Sequence, residues 1–210
     1  MKRLSHVDRH GRAKMVDVSA KAHARRQAQV QAVIMLSPEA FEAIQQQSLK
    51  KGDPFTVAKI AGIQAAKRTA ELIPLCHPLP IEHLEITFEP DATAHRIRLV
   101  AQTTTTAKTG IEMEAFVAAS VAALALYDMV KAVDPSATIT DLHLLRKTGG
   151  TQPFTRLARY AGSPVATNPS TGQRAKPAHR PNGPTGQRGN GLTGQRANGL
   201  TGQRANGPTG

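Results

Sequence analysis

The sequence predicts an α+β fold, an antiparallel four-stranded sheet with helices on one face, and three observations carry that prediction. Two segments alternate apolar and polar residues on either side of a Pro-Asp pair, as a hairpin requires; a strand and two proline-capped helices precede them; a long apolar helix and one more strand follow. The resulting strand, helices, strand, strand, helix, strand order is the split βαβ arrangement of ferredoxin-like folds.

The first strand covers Ala28 to Leu36, where Val30, Ala32 and Ile34 share one parity and so line one face. Ser37-Pro38 then supplies an N-cap and a first-turn proline for a short helix to about Gln46. Asp53-Pro54 repeats the signal before Phe55 to Ile73, where Val57, Ile60, Ala61, Gln64, Lys67 and Arg68 follow the helical period and give an apolar and a basic side. Pro74, Pro78 and Pro80 end that helix and exclude regular structure across Leu75-Cys76-His77. Leu84, Ile86 and Phe88 alternate with Glu85 and Glu89, Pro90-Asp91 supplies the turn, and Ile97, Leu99 and Ala101 alternate again. From about Ile111 to Val133 a helix is apolar almost all round, so it is expected to be buried on several sides, as at a subunit interface, before Asp134-Pro135 stops it. Ile139 to Arg146 reads as the last strand and runs into Lys147-Thr-Gly-Gly150.

With 210 residues, 40% hydrophobic and 20% charged, the chain has material for one domain of ordinary size and an appendage. Its formal charge of +12 favours anionic partners such as nucleotides, pyrophosphate, RNA or acidic surfaces. The single cysteine, Cys76, excludes an intramolecular disulfide framework and a multi-cysteine zinc cage and fits a reducing compartment. The longest mainly apolar stretch, Ala115 to Tyr127, is interrupted by Ser120 and is shorter than the ~18 residues of a membrane span. The charged N-terminus has no apolar h-region, so a cytoplasmic protein without membrane attachment is expected.

The charge is uneven. Residues 161–210 hold six Lys or Arg and no Asp or Glu, together with 11 of the 17 glycines and 6 of the 14 prolines. Val165, Leu192 and Leu200 are their only large aliphatics, too few to offset chain entropy, so a domain over 1–160 is expected to carry a disordered basic Gly/Pro-rich tail. The tail repeats Asn-Gly-Leu-Thr-Gly-Gln-Arg-Ala and close variants from Asn182 onward, a period of eight residues, too short for a solenoid unit. Six cations could serve an arm for nucleic acid or another polyanion, which is the alternative function; the tail has no aromatic side chain for base stacking.

Asp128 and Lys131 lie three apart and so share one helix face. They form an isolated polar patch on an apolar helix, where desolvation and a shifted pKa are expected, as for a carboxylate acting as a base. Glu112 and Glu114 stand at the mouth of the same helix. If the chain there is extended both face one side, and if helical they diverge by about 200°. His77 sits in the proline-bracketed loop beside Cys76, whose thiol is read as packing. Two Lys-Thr-Gly triplets, at 108–110 and 147–149, offer an ammonium, a hydroxyl and backbone amides to phosphates, and Lys50, Lys51, Lys59, Lys67, Arg26 and Arg68 add cations. No P-loop is present, and residues 1–160 hold no Gly-x-Gly-x-x-Gly, which excludes ordinary phosphate-loop enzymes and Rossmann dehydrogenases.

Seven blocks in order, Met15-Val-Asp-Val-Ser-Ala-Lys21, Lys51-Gly-Asp53, Ala58 to Thr69, Leu72-Ile-Pro-Leu-Cys-His-Pro-Leu79, Lys108-Thr-Gly-Ile-Glu-Met-Glu-Ala115, Tyr127-Asp-Met-Val-Lys-Ala132 and Leu145-Arg-Lys-Thr-Gly-Gly150, resemble the cyclic pyranopterin monophosphate synthase family, molybdenum cofactor biosynthesis protein C. The resemblance implies a lyase that converts 3',8-cyclo-7,8-dihydro-GTP to cyclic pyranopterin monophosphate with release of pyrophosphate. By match to the family's motifs it places a general base at Asp128 and its partner at Lys131, substrate contacts at Leu75, Cys76, His77, Met113 and Glu114, and Glu112, Lys51 and Lys147 in the same pocket. It also implies a homohexamer, a trimer of dimers with sites between subunits, no cofactor or metal, and a small GTP-derived substrate rather than nucleic acid. It implies nothing about residues 161–210.

Overall fold

The strand from Ala24 to Met35 (β1) organises the sheet, because both of its edges are paired. The computed structural model describes residues 7, 8 and 10–156, so the tail expected from 161 lies outside the described residues. On one side β1 pairs antiparallel with Arg96–Ala107 (β3), from Ala24 opposite Ala107 to Met35 opposite Arg96, and β3 pairs in turn with His83–Asp91 (β2). On the other side it pairs antiparallel with Thr138–Thr148 (β4), with register shifts between Gln29 and Val30 and between Gln31 and Val33. The order β2-β3-β1-β4 is that of the split βαβ arrangement. A fifth strand, the two residues Phe154–Thr155 (β5), is added on Arg146 and Lys147, so among the described residues the sheet has five strands rather than the expected four. The chain turns back onto the free edge of β4 after Gly149, whose φ of +81° is left-handed.

The strands are longer than the apolar alternation suggests, since β3 runs on to Ala107 through four threonines that alternation of apolar residues does not reveal. Pro90 and Asp91 belong to the end of β2, not to the turn. The turn is residues 92–95, built on Asp91 Oδ1, which accepts from the backbone N–H of Thr93 (3.1 Å) and Ala94 (3.3 Å).

Both helix caps form as expected. Ser37 Oγ accepts from Ala40 N at 3.2 Å to start Pro38–Gln45 (α1), and the Asp53 carboxylate accepts from Phe55 N and Thr56 N to start Pro54–Ala66 (α2). The second helix does not continue to Ile73. It stops at Ala66, where the buried Thr69 hydroxyl donates to Ala66 O at 2.8 Å and takes that carbonyl out of the ladder, and a single turn, Thr69–Leu72 (α3), follows. Nor do Val57 and Ile60 make its buried face, for they are 40% and 51% exposed. The buried seam is Pro54, Ala58, Gly62 and Ala66, a four-residue repeat of small side chains that brings α2 close to the long helix Glu112–Val130 (α4). A methyl group on Gly62 would meet Ala118 O at 2.8 Å and Ala122 Cβ at 3.1 Å. Gly62→Ala is therefore expected to destabilise by about 1–3 kcal/mol despite alanine's higher helix propensity, seen as a lower denaturation midpoint at unchanged slope.

Helix α4 packs on the sheet and against α2, which itself reaches β2 through the Phe55 and Phe88 rings (centroids 5.0 Å apart), and Ala115, Ala118, Ala119, Ala122, Ala123 and Leu126 of α4 share a core with Val30, Ile34, Ile86, Ile97 and Leu99. By length and composition alone its 19 residues could cross a membrane; burial in this core accounts for its apolar character. Its end is fixed to the start of α1 by the buried carboxylate of Asp134, which accepts from Ser37 N at 2.6 Å and from Ser136 N at 3.0 Å.

Candidate functional site

The first turn of α4 and the proline-bracketed loop meet in a cleft of about 310 Å³, lined by Leu75, Cys76 and His77 on one side and Glu112, Met113 and Glu114 on the other. The two come together because the loop is sewn to the end of β3. Thr105 Oγ1 donates to Pro80 O at 2.6 Å, and Thr106 donates to Glu82 through its N–H (3.0 Å) and hydroxyl (3.2 Å). Val16, Lys21, Leu79, Thr109 and Gly110 complete the cleft.

The question of the two glutamates is settled by α4, which begins at Glu112, so they diverge as helical residues. Both still reach the cleft, from different directions. Glu114 is 4% exposed, and burial pushes its carboxyl above the ordinary range. Burial also raises the Cys76 thiol, with the neighbouring Glu114 charge adding to it, so this sulfur is a poor nucleophile. Glu112 instead meets Lys147, whose Nζ donates to Oε1 at 3.0 Å and Oε2 at 3.2 Å. This pair borders a second hollow of about 190 Å³, shared with Arg26, Gln27, Thr148 and Gly150. Gly110 and Glu112 line both cavities, which makes them neighbours.

Asp128 lies at the other end of α4. Its Oδ1 accepts from Lys131 Nζ at 2.6 Å and its Oδ2 from Lys51 Nζ at 2.8 Å; Lys51 Nζ also donates to Asp128 O at 2.8 Å. Lys51 is delivered by the turn after α1, where buried Leu49 anchors the chain and Gly52, at φ +89°, reverses it into the Asp53 cap. Asp128 is 54% exposed, and the lysines, Lys131 first, draw its carboxyl down to about 2. The same pairing pushes Lys131 up. The expected desolvation of this patch is thus absent in a single chain, because the last turn of α4 carries Asp128 out of the core while Leu126, Met129 and Val130 stay in it.

The predicted site residues therefore fall into two groups. Leu75, Cys76, His77, Glu112, Met113, Glu114 and Lys147 share one end of α4, and Lys51, Asp128 and Lys131 share the other. Sixteen residues of helix separate Glu112 from Asp128, about 24 Å at 1.5 Å per residue. Of the two Lys-Thr-Gly triplets, the second presents its ammonium to the smaller hollow, whereas in the first Lys108 Nζ donates to Ser19 O at 2.7 Å. Sequence reading did not single out Val16 or Lys21 as cleft residues, since no periodicity marks the irregular segment that carries them. It counted Arg26 only as a cation. Its Nε donates to Ala107 O (2.9 Å) and its Nη2 to Lys108 O (3.1 Å), a role that the β1–β3 register creates. Among the described residues, no three His, Cys, Asp or Glu side chains converge as metal ligands.

The family model described as MoaC matches residues 15–150. "Cyclic pyranopterin monophosphate synthase 3" of Mycobacterium tuberculosis is 47% identical over 169 residues, 80% of this chain and 92% of that protein. "Cyclic pyranopterin monophosphate synthase" of Trichodesmium erythraeum is 50% identical over 147 residues, 70% of this chain and 89% of that one. "Molybdenum cofactor biosynthesis protein 1" of Homo sapiens is 48% identical over 147 residues; the match takes in 70% of this chain but 23% of the human protein, so the chain spans about a quarter of it.

Proposed function

This chain belongs to the MoaC family, and from that we propose that it is a cyclic pyranopterin monophosphate synthase, a lyase of molybdenum cofactor biosynthesis. It converts 3',8-cyclo-7,8-dihydro-GTP to cyclic pyranopterin monophosphate and releases pyrophosphate. The observation that carries the reading is the gathering of the motif residues into two polar clusters at the ends of one apolar helix.

In this reading the cleft formed by Leu75, Cys76, His77, Met113 and Glu114 holds the purine-derived part of the substrate. Lys51 and Lys147, with Glu112 orienting Lys147, neutralise charge on the departing pyrophosphate. Asp128 and Lys131 move the protons that ring rearrangement and cyclic phosphate formation require. In one chain Asp128 is too weakly basic for this, held as an anion between two ammonium groups. Excluding water would raise the carboxylate and lower the ammonium toward each other, so that a proton can pass between them.

A second copy of the chain supplies that exclusion. Leu124, Asp128 and Lys131 lie at i, i+4 and i+7 on one face of α4, and Leu124 is 56% exposed, so a surface that covers the leucine covers the ion pair. The same copy would bring its own cleft to these residues and close the 24 Å gap. This supports a homo-oligomer with composite sites, assembled as a hexamer, a trimer of dimers. The direct test is incubation of the purified chain with 3',8-cyclo-7,8-dihydro-GTP. Pyrophosphate and the cyclic phosphate are expected in equal amounts, and intact substrate after prolonged incubation would refute the reading.

A further inference from the structure

Part of the cleft's lining is a strap without regular secondary structure, residues 14–21, which contributes Val16 and Lys21. It is shaped internally by two short hydrogen bonds, Ser19 N to Asp17 Oδ1 at 2.8 Å and Lys21 N to Val18 O at 3.0 Å. Such bonds give it local form and no attachment to the body of the domain. Attachment comes from Lys108, whose Nζ reaches back across the chain to donate to Ser19 O at 2.7 Å. The base of Lys108 is itself fixed, because its own carbonyl and that of Ala107 accept from the Arg26 guanidinium at 3.1 Å and 2.9 Å. The side chain lines neither the larger cleft nor the hollow beside Lys147.

We propose that Lys108 is a positioning residue that clamps the strap and thereby holds Lys21 and Val16 at the cleft, without touching the substrate. An arm of this kind acts on binding. Lys21 is a cation facing a cleft that also holds two carboxyl groups, and an anionic substrate gains from it only while the strap is seated. In the composite site Asp128 and Lys131 come from the other copy of the chain, so unseating this strap leaves the proton-moving pair in place. The inference rests on the substrate assigned above, and a substrate-free measurement keeps the two separable.

The experiment compares the full chain with Lys108→Met, which keeps the stem and removes the donor, and Lys108→Arg, which restores a donor. Expected for Lys108→Met is a KM about tenfold higher, equivalent to about 1.4 kcal/mol, with kcat within about twofold of wild type. In substrate-free protein, trypsin cleavage after Lys14 and Lys21, followed by mass spectrometry of the N-terminal peptides, is expected to be about tenfold faster. Lys108→Arg is expected to return both readouts toward wild type. A higher KM with an unchanged cleavage rate would mean that Lys108 is a direct phosphate ligand and would overturn the proposal, as would an unchanged KM or a loss confined to kcat. If Lys108→Met fails to fold, Asp17→Ala, which undoes the turn that presents Ser19 O, should give the same faster cleavage; an intact strap in that variant would equally overturn it. Turnover by the wild-type chain is scored separately, so a failure of the assigned reaction is not mistaken for a failure of the clamp.

Discussion

Lys131→Ala is expected to lower turnover by about 10²–10⁴-fold while the thermal midpoint stays near that of wild type. Lys131 is half-exposed in the chain and its contact is with Asp128 Oδ1 at 2.6 Å, so its removal opens no cavity and orphans no buried group. What it removes is the ammonium poised against the carboxylate. Asp128→Ala should have an equal effect by another route, leaving Lys51 and Lys131 facing each other with no anion between them. Asp128→Asn keeps the shape and removes the charge, and is expected to fall with Asp128→Ala rather than with wild type. The pH dependence follows from the direction of the shift. Asp128 is lowered to about 2 from 3.8, so its ion pairs are complete above the ordinary carboxylate value and are lost only as pH falls through about 2. In the uncovered chain Asp128 therefore contributes no acid limb near neutrality. A limb near neutrality in the turnover of wild type, absent from Asp128→Asn, would report the upward movement of the pair on assembly. Near wild-type rates in any of the three variants would contradict the roles assigned to this pair.

Gly149→Ala is expected to be the most disruptive single-methyl change in the domain. A Cβ there would overlap Arg25 O and lie 2.9 Å from Arg25 C and 3.0 Å from Arg26 Cα, all backbone of β1. The φ of +81° is also a conformation that alanine adopts only under strain. Neither partner can rotate away, because both are backbone of β1, paired with β3 at Thr106 and Thr105 and followed at once by Gln27, where pairing with β4 begins. The loop after β4 must move instead, and with it Lys147, Thr148 and Gly150 around the smaller hollow. A loss of about 3 kcal/mol or more is expected, with a thermal midpoint lower by about 10 °C. Turnover should fall in the surviving folded fraction, since the Lys147–Glu112 pair is displaced. Gly150→Ala, where the added Cβ meets a side-chain atom, Arg26 Nη1, at 3.3 Å rather than strand backbone, is the milder control.

The parts legible in the sequence were those governed by neighbours in the chain. Ser37-Pro38 and Asp53-Pro54 announce their helices because a cap is a local hydrogen bond, and Val30, Ala32 and Ile34 announce β1 because its core face is a period-two pattern. The end of α2 was not legible, since it depends on the buried hydroxyl of Thr69 bonding back to Ala66 O. The buried seam of α2 was misjudged for a related reason. Small residues at Ala58, Gly62 and Ala66 allow close approach of α4, whereas the larger Val57 and Ile60 are turned outward. For the candidate site, motif spacing picked out residues that the fold gathers into two clusters, and the prolines marked the irregular loop that carries Leu75, Cys76 and His77. What spacing could not tell is that helix α4 holds the two groups apart. A count of sixteen residues says nothing about distance until those residues are known to be helical throughout.

The composite nature of the site is tested most directly by mixing two disabled chains. His77→Ala disables the cleft and Lys131→Ala disables the ion pair, and each alone should be nearly inactive. Co-expressed in equal amounts under two different tags, which verify mixed assemblies, they should recover about a quarter of wild-type turnover, because random pairing puts one intact site of two in half of the dimers. Mixed assemblies with no more activity than the separate variants would mean that cleft and ion pair must come from the same chain, and the composite site would be abandoned.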